Sequence, residues 1–187
     1  MSEKGSRICP VWLSFMLSNS IRKWLDPPNR VLDRLGVRAD GVVIDFGCGP
    51  GFYTIPLTKM AGRVIAIDSQ TGMLEKASRY AAKNNVKVEF YQNDGKSIPL
   101  PDSIADLIFL RLVFHELDDK QAVLKELTRL LKRNGRLAIM EKTKKSLTPV
   151  GPPKMEVSEI VDVMKNVGLV VSDKIEVRNE TIVIGKR

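Results

Sequence analysis

An α/β fold with a seven-stranded, mostly parallel sheet and helices on both faces is the class this sequence predicts, and three observations carry it. From Gly41 onward, short β-branched runs alternate with stretches at helical spacing, the pattern of parallel strands joined by helical crossovers. Acidic or glycine-rich turns close several of those runs. The length of 187 residues, 43% hydrophobic and 28% charged, suits one domain able to bury its own core, and excludes a disordered or collagen-like chain. The sequence therefore reads as a single domain over 1–187, with an N-terminal helical extension over 1–36 and a core over 37–187.

The elements follow in order. Lys4 and Arg7 ahead of the apolar residues 11–17 give the outline of a secretory leader, but Ser14 interrupts it and no small-residue cleavage site follows. Leu13, Leu17, Ile21 and Trp24 instead share one helical face, with Trp12, Phe15 and Met16 beside it, so an amphipathic helix retained in the mature chain is expected. Pro27-Pro28 ends it, and a short second helix over 29–35 stops at Gly36. Strands are expected over 42–46, 63–67, 86–91, 105–110 and 136–141. A helix carrying Ile55, Leu57 and Met60 follows the first strand, and one over 71–83 follows the second. After the fourth comes a helix with Asp118 as N-cap and Asn134-Gly135 as terminator. A basic, proline-bearing loop spans 142–154, a helix covers 157–167 up to Gly168, and strands over 169–177 and 181–184 flank a hairpin turn at Arg178-Asn179-Glu180.

The strongest chemical signal is Asp45-Phe46-Gly47-Cys48-Gly49-Pro50-Gly51 between a strand and a helix, where missing side chains let a ligand approach the backbone. The dinucleotide pattern G-x-G-x-x-G is absent, because its third glycine falls on Phe52. Asp45 would repel a diphosphate and suit a cationic group such as an ammonium; its bland reading is a cap on the next helix. Asp68 ends the second strand, where an acid faces the crevice and accepts both hydroxyls of a ribose. Asp94 ends the third and would take the exocyclic amine of a purine. Each alone is an ordinary turn residue. Three acids at successive strand ends point to one ligand.

On these residues the sequence resembles the class I S-adenosylmethionine-dependent methyltransferases from about Leu32 onward. Val42 to Gly51 matches the family's first motif, Ala66-Ile67-Asp68 the acidic second, Asn93-Asp94-Gly95 the adenine-side motif, 105–110 the fourth strand and 135–139 the entry to the fifth. The resemblance implies a Rossmann-like seven-stranded sheet whose last strand inserts antiparallel beside the fifth. It implies S-adenosyl-L-methionine as cofactor, with Gly47, Gly49 and Gly51 near its methionine part and Asp45 near the ammonium. Asp68 would hold the ribose, Asp94 and Gly95 would flank the adenine, and Arg111 would offer its backbone carbonyl. Tyr53 lies over the pocket or packs on the first helix. His115, the sole histidine, stands past the fourth strand, where it serves as a general base if the acceptor must lose a proton, or as a structural histidine.

The acceptor is read partly from absences. The Asp/Asn-Pro-Pro-Tyr/Phe group of amino-methylating nucleic acid enzymes is replaced by Leu110-Arg111-Leu112-Val113, and no cysteine stands near the fourth or fifth strand for cytosine C5 chemistry. Residues 110–115 look most like the small-molecule, quinone-biosynthesis branch, so a small, partly apolar acceptor is expected. Trp12, Phe15 and Met16 would line it, pack on the domain, or seat the helix on a membrane surface. A net charge of +8 and a pI near 9.6 keep RNA as the second reading, and a cofactor-binding domain without catalysis is the third. Two distant cysteines, Cys9 and Cys48, form neither a disulfide framework nor a zinc site, so no metal and a reducing, cytoplasmic compartment are expected.

Overall fold

The computed structural model describes residues 27–143 and 153–187. The segment expected to form the N-terminal helix, with Cys9, Trp12, Phe15 and Met16, lies outside them, as does most of the basic loop. In chain order the elements are α1 (Asn29–Leu32), β1 (Val42–Phe46), α2 (Thr54–Leu57), β2 (Arg63–Asp68), α3 (Thr71–Lys83), β3 (Glu89–Gln92), β4 (Ala105–Arg111), a 3-10 turn (Phe114–Glu116), α4 (Lys120–Leu130), β5 (Leu131–Lys142), α5 (Val157–Asn166), β6 (Val170–Val177) and β7 (Glu180–Lys186).

One seven-stranded sheet results, in the order β3-β2-β1-β4-β5-β7-β6. The first five strands pair in parallel, while β7 runs antiparallel between β5 and β6. Strand residues alternate between two cores, as a period of two requires. Ile44, Ile65, Ile108, Leu137, Ile139 and Val183 meet the helices α4 and α5 on one face. Val43, Val64, Leu107, Phe109, Met140 and Ile182 meet Leu32, Leu35, Tyr53 and Leu57 on the other. Strands covered on both faces read as continuous apolar runs, which is why β1, β2 and β4 stand within a residue of their expected bounds.

Four boundaries differ, each for a tertiary reason. The expected helix terminator at Asn134-Gly135 is not one: α4 stops at Leu130 because Leu131 pairs with Ala105, and the chain enters β5 there. Asn134 (φ 68°) bends that strand, and Gly135 is packed too closely for a side chain, with a Cβ falling 2.9 Å from the carbonyl oxygen of Ala105. Asp119, not Asp118, caps α4, accepting from the Ala122 N–H at 2.9 Å. Strand β3 begins at Glu89 rather than 86, where its parallel register with Ile65 starts. Only one turn, α2, is helical after the glycine loop. Among the described residues no helix is long and apolar enough to cross a membrane.

Candidate cofactor and acceptor site

The chain runs outward through β1, β2 and β3, then returns to place β4 beside β1. Ligands in such sheets dock outside the carboxyl ends at that reversal. The glycine loop is folded across the end of β2: the N–H groups of Gly47 and Cys48 both donate to the Ile67 carbonyl, at 2.8 and 3.0 Å. Gly49 N–H donates to one Asp68 carboxylate oxygen at 2.8 Å, and Gln70 N–H donates to the other at 2.9 Å.

The loop glycines serve different ends. At Gly47 (φ 71°) a Cβ would lie 2.2 Å from a methyl of Val113, so this glycine lets the loops after β1 and β4 touch. Gly51 backs onto Ala77 of α3. Gly49 (φ 52°) has no atom within 4 Å of the Cβ position, so open space lies beside the Asp68 carboxylate. Gly95 (φ 88°) is filled against Phe46 and Val123, a packing requirement in the segment after β3.

Two buried carboxylates stand near the adjacent ends of β1 and β2, Asp45 at 3% exposure and Asp68 at 8%. Asp45 accepts from the Thr54 hydroxyl at 2.6 Å, a side-chain contact from the first residue of α2. Burial pushes its carboxyl up to about 7, against the Thr54 hydrogen bond and with a further push from Asp68. Burial also raises Asp68, opposed by the N–H groups of Gln70, Gly49 and Ser69. The Cys48 thiol is raised well above its usual range by burial and by the same two acids, so it stays protonated and fills space. Two desolvated acids beside an open backbone cradle suit a group that brings an ammonium and vicinal hydroxyls, and disfavour one that brings phosphates. The donor set therefore fits S-adenosylmethionine.

The other expected residues are distributed as follows. Arg111 ends β4 and pairs with Glu180 at 2.7 Å, its guanidinium 5.1 Å from the centre of the Tyr53 ring. Tyr53 is buried edge-on against Phe52 and Phe109 and packs within the core. Asp94 is exposed; the Lys96 N–H and, secondarily, its ammonium hold the carboxyl below the usual range. In the same segment Asn93 donates its N–H to the Asp68 carbonyl at 3.1 Å, so the third strand end abuts the second.

His115 sits in the 3-10 turn after β4, its ring Nδ1 2.9 Å from Oε2 of Glu141. It lines a cavity of ≈ 570 Å³ with Lys120, Pro153, Lys154, Met155, Glu156 and Glu159. Met155 is tied to the end of β5 by its N–H to the Lys142 carbonyl, so one lining residue of this cavity is anchored to that strand. Glu141 was missed in the sequence. The available signal was the one used for Asp45 and Asp68: an acid at the carboxyl end of an apolar strand run, here Ala138-Ile139-Met140-Glu141.

The Methyltransferase domain family model matches residues 44–139 of the chain. Among solved structures, one described as a SAM-dependent methyltransferase from Aquifex aeolicus is 30% identical, covering 96% of this chain and 98% of its own, with a TM-score of 0.86. The uncharacterized methyltransferase YcgJ of Bacillus subtilis is 31% identical over 105 residues, 56% of this chain and 42% of its own length. The ubiquinone/menaquinone biosynthesis C-methyltransferase UbiE of an Enterobacter species is 31% identical over 126 residues, 64% of this chain and 49% of its own. The chain thus spans less than half the length of these two curated relatives.

Proposed function

The chain belongs to the methyltransferase-domain family, class I and S-adenosylmethionine-dependent, and from that premise we propose that it methylates a small, partly apolar acceptor held against His115. The observation that carries this reading is the cavity of ≈ 570 Å³ beside the 3-10 turn after β4, where His115, Pro153 and Met155 share the lining with the charged Lys120, Lys154, Glu156 and Glu159. Its size is that of a small-molecule pocket, which commonly runs about 300–1,000 Å³. Curated relatives named for ubiquinone and menaquinone biosynthesis support a small, apolar acceptor class.

In this reading Asp68 holds the ribose hydroxyls, Asp45 balances the ammonium, and the open face of Gly49 admits the methionine part. Asp94 and Gly95 flank the adenine, and Gly47 and Gly51 shape the loop. Arg111 and Tyr53 brace the end of β4. When bound, the sulfonium supplies an already activated methyl group. The chain's remaining tasks are to align the acceptor, exclude water and take a proton where one must leave. His115 is the only imidazole in the sequence and lines the cavity, so it takes that proton.

The test is transfer of labelled methyl from S-adenosylmethionine into a panel of small hydroxylated and quinol acceptors, alongside a mixed RNA pool across a salt series. Turnover on a small acceptor that falls about 100-fold or more in His115→Ala, with cofactor affinity kept, is the expected result. Transfer into RNA, with binding that drops steeply as salt rises, would overturn the small-molecule reading in favour of RNA. Cofactor binding with no transfer to any class would favour a non-catalytic domain.

A further inference from the structure

The geometry points to Glu141 as the positioning residue that holds the proton of neutral His115 on Nδ1 and leaves the Nε2 lone pair facing the acceptor cavity. The inference deepens the proposed function and rests on its reading of His115 as the base.

Strand parity brings Glu141 to the ring. Leu137 and Ile139 point from β5 into the core beneath α4, and Glu141, two residues on, emerges on the same face under the 3-10 turn. Its side chain is 0% exposed, and a buried carboxylate persists only where hydrogen bonds replace its water. Both of its oxygens are engaged by one residue: Oε1 accepts from the His115 backbone N–H at 3.3 Å, and Oε2 stands 2.9 Å from Nδ1. With Glu141 as the carboxylate, which only accepts, the proton shared across this contact lies on Nδ1. A neutral imidazole carries one proton, so its lone pair is then on Nε2.

The surroundings of the ring and the lining of the cavity fit this assignment. The nearest carboxylate oxygen, on Glu116, is 3.9 Å away, beyond hydrogen-bonding distance. Lys120, Lys154, Glu156 and Glu159 complete the charged lining, with Lys120 3.5 Å from Glu159. A proton-bearing acceptor in the cavity would pass its proton to Nε2. The electron pair left on the acceptor atom forms the bond to the methyl carbon, whose bond to sulfur breaks with its pair retained by sulfur. The positive charge gained by the ring is balanced by Glu141 on the opposite nitrogen.

An amide in place of the carboxylate should reverse the ring. Glu141→Gln keeps the shape but has one acceptor oxygen for two neighbours. The backbone N–H of His115 can only donate, so it claims that oxygen. The amide NH₂ then faces Nδ1 and donates to it, which moves the ring proton to Nε2 and blocks the base. Glu141→Asp retains two acceptor oxygens and should retain the wild-type tautomer.

Because the chain has a single histidine, nitrogen-15 labelling of histidine gives one ring to observe. Long-range proton–nitrogen correlation on the full-length chain, at a pH where the ring is neutral, should show Nδ1–H in the wild type and Glu141→Asp, and Nε2–H in Glu141→Gln. Turnover in Glu141→Gln should fall at least 10-fold in kcat with KM little changed. A wild-type ring protonated on Nε2, or a tautomer unmoved by Glu141→Gln, would overturn the inference; the wild-type spectrum decides it even if the variant does not fold. Nδ1–H in the wild type with full turnover in His115→Ala would instead sink the base reading and leave the orientation standing.

Discussion

At the scale of single residues, the two buried acids behave differently toward ligand and pH. Asp68 already accepts two backbone N–H groups, which aim its carboxylate at the open side of Gly49. Hydrogen bonds to a charged group are worth about 1.5–3 kcal/mol each, so Asp68→Ala should weaken S-adenosylmethionine binding by about 2–4 kcal/mol. Calorimetry reads this directly, and wild-type affinity would remove Asp68 from the site. Asp45 carries the pH signature. Its folded carboxyl titrates at about 7 against an ordinary 3.8, so between those values the folded chain holds a proton that the unfolded chain has released. Stability from this residue therefore falls as pH rises from about 4 to about 7, then levels. Urea unfolding across that window should show a shallower loss in Asp45→Asn than in the wild type. A bound ammonium favours the carboxylate, so cofactor binding below pH 7 should release a proton, visible as a buffer-dependent heat.

At the scale of elements, the glycine loop separates folding from binding within three residues. A Cβ at Gly47 meets Val113 across the reversal of the sheet, whereas a Cβ at Gly49 meets nothing. Gly47→Ala should cost about 2–4 kcal/mol of stability, from a left-handed backbone and overpacking together. Gly49→Ala should cost only about 1–2 kcal/mol, from the backbone alone, yet lose cofactor affinity. Denaturant unfolding and calorimetry on the pair decide this; equal stability losses would contradict it. The same loop shows what a sequence exposes. The placement of its glycines, Asp45 and Asp68 at neighbouring strand ends was legible because residue type and strand-end position are both local properties. Glu141 with His115 and Arg111 with Glu180 were not, because those partners lie 26 and 69 residues apart and only the sheet order joins them. The entry into β5 was hidden likewise: Asn134-Gly135 has the local chemistry of a helix end, and pairing of Leu131 with Ala105 overrides it.

At the scale of the whole molecule, the sheet order gives the last strand an interior position. Strand β7 lies between β5 and β6 and buries Ile182, Val183 and Ile184 at no more than 3% exposure. A chain ended after Val177 should lose that burial, leave the 136–142 edge of β5 open, and precipitate on expression. Soluble, cofactor-binding material from that truncation would contradict this. Strand position also sets a schedule for synthesis. At about 5–20 residues per second, the ribosome needs roughly 2–8 s to travel from Lys142 to Glu180. Through those seconds the nascent chain carries an apolar, unpaired β5 edge whose native partner strand is still unwritten. Slowing translation between the two positions should lower soluble yield, and a chaperone that shelters strand edges should restore it.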